Sequence, residues 1–435
     1  MKEGICMKSK LFHMIIFLCF FLMGCTGSEK SNDNIITGTE EKEVSAAQAI
    51  IEKTDYKLYR NISRQLGLYE PKEGCYLGAY ILSNSDINFD IETFEKITET
   101  SHGIYLRNMK LGAIFPIDWI LECTSRMKTP YIILQPPSED FPYQDYLLEE
   151  TAKEFGYYFI PMFVQFYPNP HQYDNPQEYK EFFLKARNIF KEYAPNVAFV
   201  WSVNLENCED SLIYYPGDEA VDWVGIDVYD FIYVNNEKNH QNLFEDIDFI
   251  YYSFQGKKPM MISQLGISHY SNKDHGYYID EAVNKITAFY NTIRKQYPQI
   301  KGINYMDFNN IEVAPNDMGQ DNFKITSQEQ LTEAYKNALK YDYFIDSLDI
   351  QSTSSIEKQW IVSYYPIYKQ NDKLYISEKV IKYEWDDLGI KVNKEKPIWV
   401  NQEAYYLLEN LIQGTNLNMY LDLENNKINI QEKDI

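Results

Sequence analysis

Eight short apolar, β-rich runs alternate with longer amphipathic stretches between Cys75 and Met306, and this rhythm limits the fold more than any other feature. The runs are Cys75–Tyr80, Gly103–Leu106, Tyr131–Leu134, Tyr158–Val164, Val197–Trp201, Trp223–Asp227, Met260–Ser263 and Gly302–Met306. Continuous apolar runs suit strands buried on both faces. The stretch Glu178–Tyr193 has apolar residues at Tyr179, Phe182, Phe183, Ala186, Ile189 and Phe190, and Asp280–Tyr297 repeats the pattern through Ala282, Ile286, Phe289, Tyr290 and Ile293. Both spacings are helical. Eight such units over roughly 250 residues predict an α/β fold, a closed (β/α)8 TIM barrel. A doubly wound open sheet is the alternative, and the lack of GxGxxG after the first strand weakens it.

The flanks divide further. Lys8 and Lys10 precede an apolar run, Leu11–Met23, that ends in Leu22-Met23-Gly24-Cys25. The run is shorter than the ~20 residues of a membrane span and has the order of a secretory signal. Its end resembles the lipobox of bacterial lipoproteins, which implies lipidation of Cys25. The expected layout is a signal peptide at 1–24, a polar tether at 25–45 and a helix leading into the barrel at 46–74. The barrel follows at 75–345, closed by a helix over Ser327–Tyr341, then a Ser/Thr-rich linker at 346–358. A small α+β C-terminal domain fills 359–435. Its expected parts are strands Trp360–Tyr368, Leu374–Ser377 and Ile398–Val400, a helix over Gln402–Leu411, and a final pair, Asn418–Leu423 and Ile428–Ile430. The Leu-rich helix and that pair resemble the copper amine oxidase N-terminal-like domain. No copper chemistry is implied, because no histidine or cysteine follows Asp346.

Composition narrows the functions. Lys+Arg 41 against Asp+Glu 64 gives a net charge of −23. Such a surface repels phosphate backbones, which argues against nucleic-acid binding. Aromatics reach 16%, with 38 tyrosines, compatible with a sugar-stacking surface. Beyond Cys25 only Cys75, Cys123 and Cys208 remain, with no metal spacing. They read as buried thiols, with no disulfide framework, zinc site or cofactor expected.

Chemistry in such a barrel sits where strands end. Strand four ends in Gln165 to His171, strand five in Trp201 to Glu206, and strand six in Asp227 to Asp230. Strand seven ends in Gln264 to His269, and strand eight in Asp307 to Asn309. This polar, aromatic rim suits a sugar. From it Tyr167, Asn169, Trp201, Glu206, Asp227, Tyr229, Gln264, His269 and Asp307 are the expected ligand-binding residues.

The segment Tyr-Tyr-Pro-Gly-Asp-Glu-Ala-Val-Asp-Trp-Val-Gly-Ile-Asp-Val-Tyr (214–229) resembles the strand-six signature of glycoside hydrolase family 26, the β-mannanase-like family. Phe199–Asn204 and Lys258–Gly266 are similar to its strands five and seven, and the likeness runs from about Cys75 to Asn310. It implies a TIM barrel with a glutamate nucleophile ending strand seven and a His-Glu pair after strand four, the glutamate being the acid/base. This chain has Gln264 at the first position. By register Pro168 and Asn169 occupy the pair, and no Asp or Glu lies between Gln165 and Gln172. Retaining hydrolysis needs two carboxyl groups ~5–5.5 Å apart. A neutral amide neither attacks an anomeric carbon nor delivers a proton near neutral pH.

The leading expectation is therefore a lipoprotein on the extracytoplasmic face of the cell membrane, whose barrel binds a β-linked polysaccharide or cell-wall glycan without cutting it. A hydrolase using Glu206 with Asp227 or Asp307 is the second reading, in an inverting geometry of ~6.5–9.5 Å. A non-enzymatic solute-capturing or structural envelope lipoprotein is the third.

Overall fold

A computed structural model describes residues 50–138, 142–205, 208–315, 318–350, 355–390, 392 and 396–433. The signal peptide, the tether, Cys25 and Glu206 lie outside the described residues.

All eight predicted strands form; the first keeps its expected bounds, the fourth starts four residues later than expected, and the others run on by one to four residues at their ends. They are Cys75–Tyr80, Ile104–Lys110, Thr129–Gln135, Met162–Phe166, Val197–Asn204, Trp223–Asp230, Met260–Ile267 and Ile300–Met306. Each pairs in parallel with the next, and the eighth closes on the first through Gly302↔Tyr76 to Met306↔Tyr80. The expected (β/α)8 barrel is thus the fold. A two-residue strand, Phe344–Ile345, also pairs with Cys75 and Tyr76 at the base of the first strand.

Helices separate most strands, and local sequence sets their ends. In Pro176–Tyr193, Asn175 accepts from the backbone N–H of Gln177 and Glu178, and proline begins the helix. Both devices satisfy or remove N–H groups that a helix start leaves unpaired. Its Tyr179, Phe182, Phe183, Ala186 and Phe190 are buried, as read from the sequence. Two cores result. One, between barrel and helices, holds most of the large apolar side chains. The other fills the barrel itself, with Tyr76, Tyr131, Phe163, Trp223 and Met261 among its members. Tyr69 packs edge-on against Phe163, and Leu68 accepts from the Trp223 indole N–H (2.7 Å), so the chain before the first strand plugs the barrel base.

The leading helix expected over 46–74 is a correction. Glu52–Lys53 and Lys57–Gln65 are strands. Lys57–Gln65 lies inside a four-stranded sheet, antiparallel to Ile356–Val362 and parallel to Lys427–Glu432, with Leu417–Asp422 at the far edge. Leu58 faces the core of the small module, while Tyr59 packs with the barrel helices. Burial on both faces erases the alternation that marks a half-buried strand, and Leu58, Tyr59 and Ile62 imitate a helical stripe. A second sheet joins Glu52–Lys53, Ile367–Gln370, Lys373–Ser377, Glu403–Leu407 and Ile398–Val400. The β-rich module after the barrel is therefore built from both ends of the described chain.

In place of the helix expected over Gln402–Leu411, Glu403–Leu407 pairs on both sides as a strand, and the helix is a short one over Leu408–Ile412. The expected linker also ends early, since Ile356–Lys358 are already in a strand. Cys75 and Cys123 are buried free thiols.

Candidate functional site

The inward faces of strands three to seven converge on a buried carboxylate near the top of the barrel. Asp227 is almost wholly buried. Ser263 donates to its Oδ1 (2.6 Å), and Gln165 Nε2 donates to both oxygens (3.1 and 3.0 Å) and to Ser202 Oγ (2.7 Å). Tyr131 donates to Gln165 Oε1 (3.3 Å). Gly225, two residues before Asp227, makes room: a Cβ there would meet Ser263 Oγ at 2.6 Å and Ser202 Cβ at 2.9 Å.

Burial pushes the Asp227 carboxyl up to about 7, against the pull of its hydrogen bonds to Ser263, Gln165 and Ser202. The unfolded chain would hold that carboxyl near ~3.9. Between those values the folded state keeps a proton that the unfolded state has lost. Stability from this group therefore falls as pH rises from about 4 to 7 and is level above. His102 and His269, held low mainly by burial, act in the opposite sense. The difference between wild type and Asp227→Asn isolates the effect. Urea titrations should show the variant gaining up to about 4 kcal/mol relative to wild type from pH 4 to pH 8; a pH-independent difference would refute the assignment.

Above this layer sit Gln264 and Tyr229, both half-buried. Gln264 Nε2 donates to Gln165 Oε1 (3.3 Å), and the Tyr229 hydroxyl donates to Gln264 Oε1 (2.8 Å). A register shift makes this possible. Ile262 pairs with Ile226 but Gln264 pairs with Asp227, so Ser263 is an extra residue in strand seven. In a regular strand Ser263 and Gln264 would point to opposite faces. The bulge lets both reach the interior network, a common device beside functional sites. Gly266 then leaves space for the Tyr229 ring, which a Cβ would meet at 2.7 Å. Tyr229 continues into an aromatic rim. It packs on Phe231 and Phe323, Phe323 on Phe308, and Phe308 edge-on to Tyr80.

The other residues selected from the sequence separate. Tyr167 is fully buried in the layer between barrel and helices, donates to the Pro142 carbonyl (2.6 Å) and stacks on Phe166. Trp201 is also in that outer layer, against Tyr215 and Phe254. Neither presents a ring at the barrel mouth: Trp201 lies on the strand face that meets the helices, and Tyr167, just past the end of strand four, has a left-handed backbone (φ 47°) that turns its ring into the same outer layer as Phe166. Asn169 adopts a left-handed conformation (φ 56°) at the turn into a short helix, with Oδ1 buried and unbonded. Asp307 is fully buried and held by Asn84 Nδ2 (2.6 Å), Thr326 Oγ1 (2.8 Å) and Thr326 N–H (3.2 Å). It clamps the turn after strand one to the turn after strand eight. Burial raises its carboxyl to about 6 against these hydrogen bonds. His269 is buried, bonded at Nε2 to Ser327 Oγ (3.2 Å), and lowered to about 4 by burial and then by Lys324. Asp227 and Asp307 are thus both occupied internally, which leaves the inverting pair without a carboxylate facing the mouth among the described residues.

Of the predicted set, Asp227, Tyr229 and Gln264 come together. Gln165 and Ser202, read only as parts of strand ends, and Ser263 complete the group. The first two share an inward face with Phe163 and Val200, a period-two signal present in the sequence. Ser263 depends on the bulge and left no such signal.

Residues 165–272 match the family model of glycosyl hydrolase family 26. The likeness read from strands five to seven is borne out over that segment. Solved structures similar to this chain include three mannanases of that family. A β-mannanase from Bacteroides ovatus is 11% identical, covers 63% of this chain and 90% of its own, and has a TM-score of 0.46. The catalytic domain of an endo-β-1,4-mannanase from Bacillus sp. JAMB-750 is 13% identical over 67% of this chain and 96% of its own, at 0.47. A modular endo-β-1,4-mannanase from Cellulomonas fimi is 11% identical over 79% and 94%, at 0.46. No curated protein matches.

Proposed function

We propose that this family 26-like barrel recognises a neutral β-linked polysaccharide, such as mannan or a cell-wall glycan, without hydrolysing it. The observation that carries the reading is the neutral amide of Gln264 at the end of strand seven, held between the Tyr229 hydroxyl and Gln165. An amide presents both a donor and an acceptor to sugar hydroxyls, and the Tyr229 ring with its aromatic neighbours offers apolar faces beside them. Hydrolysis through Asp227 or Asp307 is the weaker alternative, since their oxygens serve internal donors.

Isothermal titration with mannohexaose tests the reading. Tyr229→Ala should weaken binding at the mouth at least tenfold, and the wild type should release no reducing ends from β-mannan. Measurable turnover by the wild type that vanishes in Gln264→Ala would overturn it. The reading also places the protein on the extracytoplasmic face of the membrane through a lipid on Cys25. Expressed with its leader, the wild type should incorporate labelled palmitate and sediment with membranes, and Cys25→Ala should do neither. Equal labelling of both would remove the anchor.

A further inference from the structure

A groove of about 1030 Å³ lies between the small module and the barrel helix Leu243–Phe254. It is at the upper end of the ~300–1,000 Å³ typical of small-ligand sites. Tyr252 enters from the helix, Tyr364 and Tyr365 from the turn after strand Ile356–Val362, and Tyr383 from the segment Val380–Glu384. Tyr364 and Tyr383 are each 62% exposed. Three of the four rings brace one another. Tyr252 and Tyr364 meet edge-on at 5.0 Å, and Tyr364 and Tyr365 at 5.6 Å. Glu384 accepts from the Tyr364 backbone N–H (3.1 Å), and Arg60 donates to the Glu384 carbonyl (3.0 Å) and to both Asp387 oxygens (2.9 and 2.7 Å). Aromatic faces held rigid in water cost little further entropy when a ligand stacks on them.

The groove also limits its occupant. A peptide commonly docks by adding a strand to an open sheet edge. Here the edge of Ile356–Val362 beside the groove is closed by side chains. Gln255 accepts from the Val362 N–H (2.9 Å) and donates to its carbonyl (2.6 Å), while Gln299 donates to the Trp360 carbonyl (3.1 Å). Four carboxylates line the groove against one lysine and one arginine, which disfavours an anionic ligand. Exposed tyrosine faces flanked by carboxylates suit uncharged hydroxyl-bearing rings.

From this geometry we infer that the groove between the module and the barrel helix is a second saccharide site, which takes a neutral oligosaccharide chain independently of the barrel mouth. The two sites would let one molecule hold two points of a polysaccharide, with the gain in avidity that linkage confers.

Hydrogen exchange on the full chain, with mannohexaose and cellohexaose as probes, tests this directly. At least one neutral hexasaccharide should protect the amides of residues 361–365 and 380–385, and hexagalacturonate should not. Titration should show two sites per chain in the wild type and one in Tyr364→Ala/Tyr383→Ala, with at least a tenfold loss at the removed site. Tyr229→Ala should leave groove protection intact. Lack of protection in the wild type by either neutral probe, equal protection by hexagalacturonate, or an unchanged stoichiometry in the folded double variant overturns the inference. If groove protection survives while binding at the mouth is absent, the second site stands and the mouth reading fails.

Discussion

Gln264→Glu combined with Asn169→Glu is expected to give a slow glycosidase, raising reducing-end release from β-mannan at least ~10²-fold over the wild-type background. A glutamate at 264 would sit where Tyr229 already donates a hydrogen bond to an amide oxygen (2.8 Å). Gln165 Oε1, which now accepts from Gln264, would lose that donor, since the Gln165 amide is fixed by Asp227, Ser202 and Tyr131. Tyr229 is therefore the donor that would hold a carboxylate at the strand-seven position. The proton donor must come from the other side, and the register read from the sequence puts it at position 169. That backbone is left-handed, so glutamate there costs about 1–2 kcal/mol in local conformation. Each single variant should remain silent, because retaining hydrolysis needs both groups. A Gln264→Glu variant as active as the double would move the acid elsewhere. A folded, mannan-binding double variant without turnover would show that these positions are not the missing pair.

The largest loss of stability is expected at Glu70. Its side chain is fully buried and receives two hydrogen bonds from Arg64 (2.7 and 2.5 Å) and one from the Gly67 N–H (2.8 Å). Arg64 also donates to Gln299 (2.9 Å), whose own amide reaches the Trp360 carbonyl. The pair therefore ties the sheet of the small module to the base of the barrel. Glu70→Ala would leave a buried guanidinium without its counter-charge and should cost about 3–5 kcal/mol. Arg64→Met/Glu70→Leu, which removes both charges and restores volume, should recover most of that loss. Urea unfolding of the three proteins measures this directly. A single variant within about 1 kcal/mol of wild type would mean that water or other groups satisfy Arg64, and the link between barrel and module would have to lie elsewhere.

The Arg64–Glu70 pair also shows where reading the chain in order fails. Its two residues are close in sequence, yet their environment is made by Gln299 and by residues from the far end of the chain. Lys57–Gln65 reads as a helix because its two buried faces answer to different cores, one in the module and one against the barrel. Glu403–Leu407 reads as part of a helix until Ser377 and Ile398 pair with Tyr405 from either side. In each case partners distant in sequence outweigh the local pattern.

By itself the sequence determined the eight barrel strands, their order and several of the helices between them, because each strand carries its own apolar run and each of those helices its own stripe. It also determined that position 264 holds an amide, which decides what chemistry is open to the mouth. Tertiary structure alone decided which polar groups meet there. The extra residue in strand seven aims Ser263 and Gln264 into the same interior, the left-handed turn at Tyr167 and the outer strand face at Trp201 send those rings to the helix layer, and Asp227 and Tyr229 turn inward. Facing is set by pairing register, and a one-residue slip is invisible in composition yet reverses every side chain beyond it.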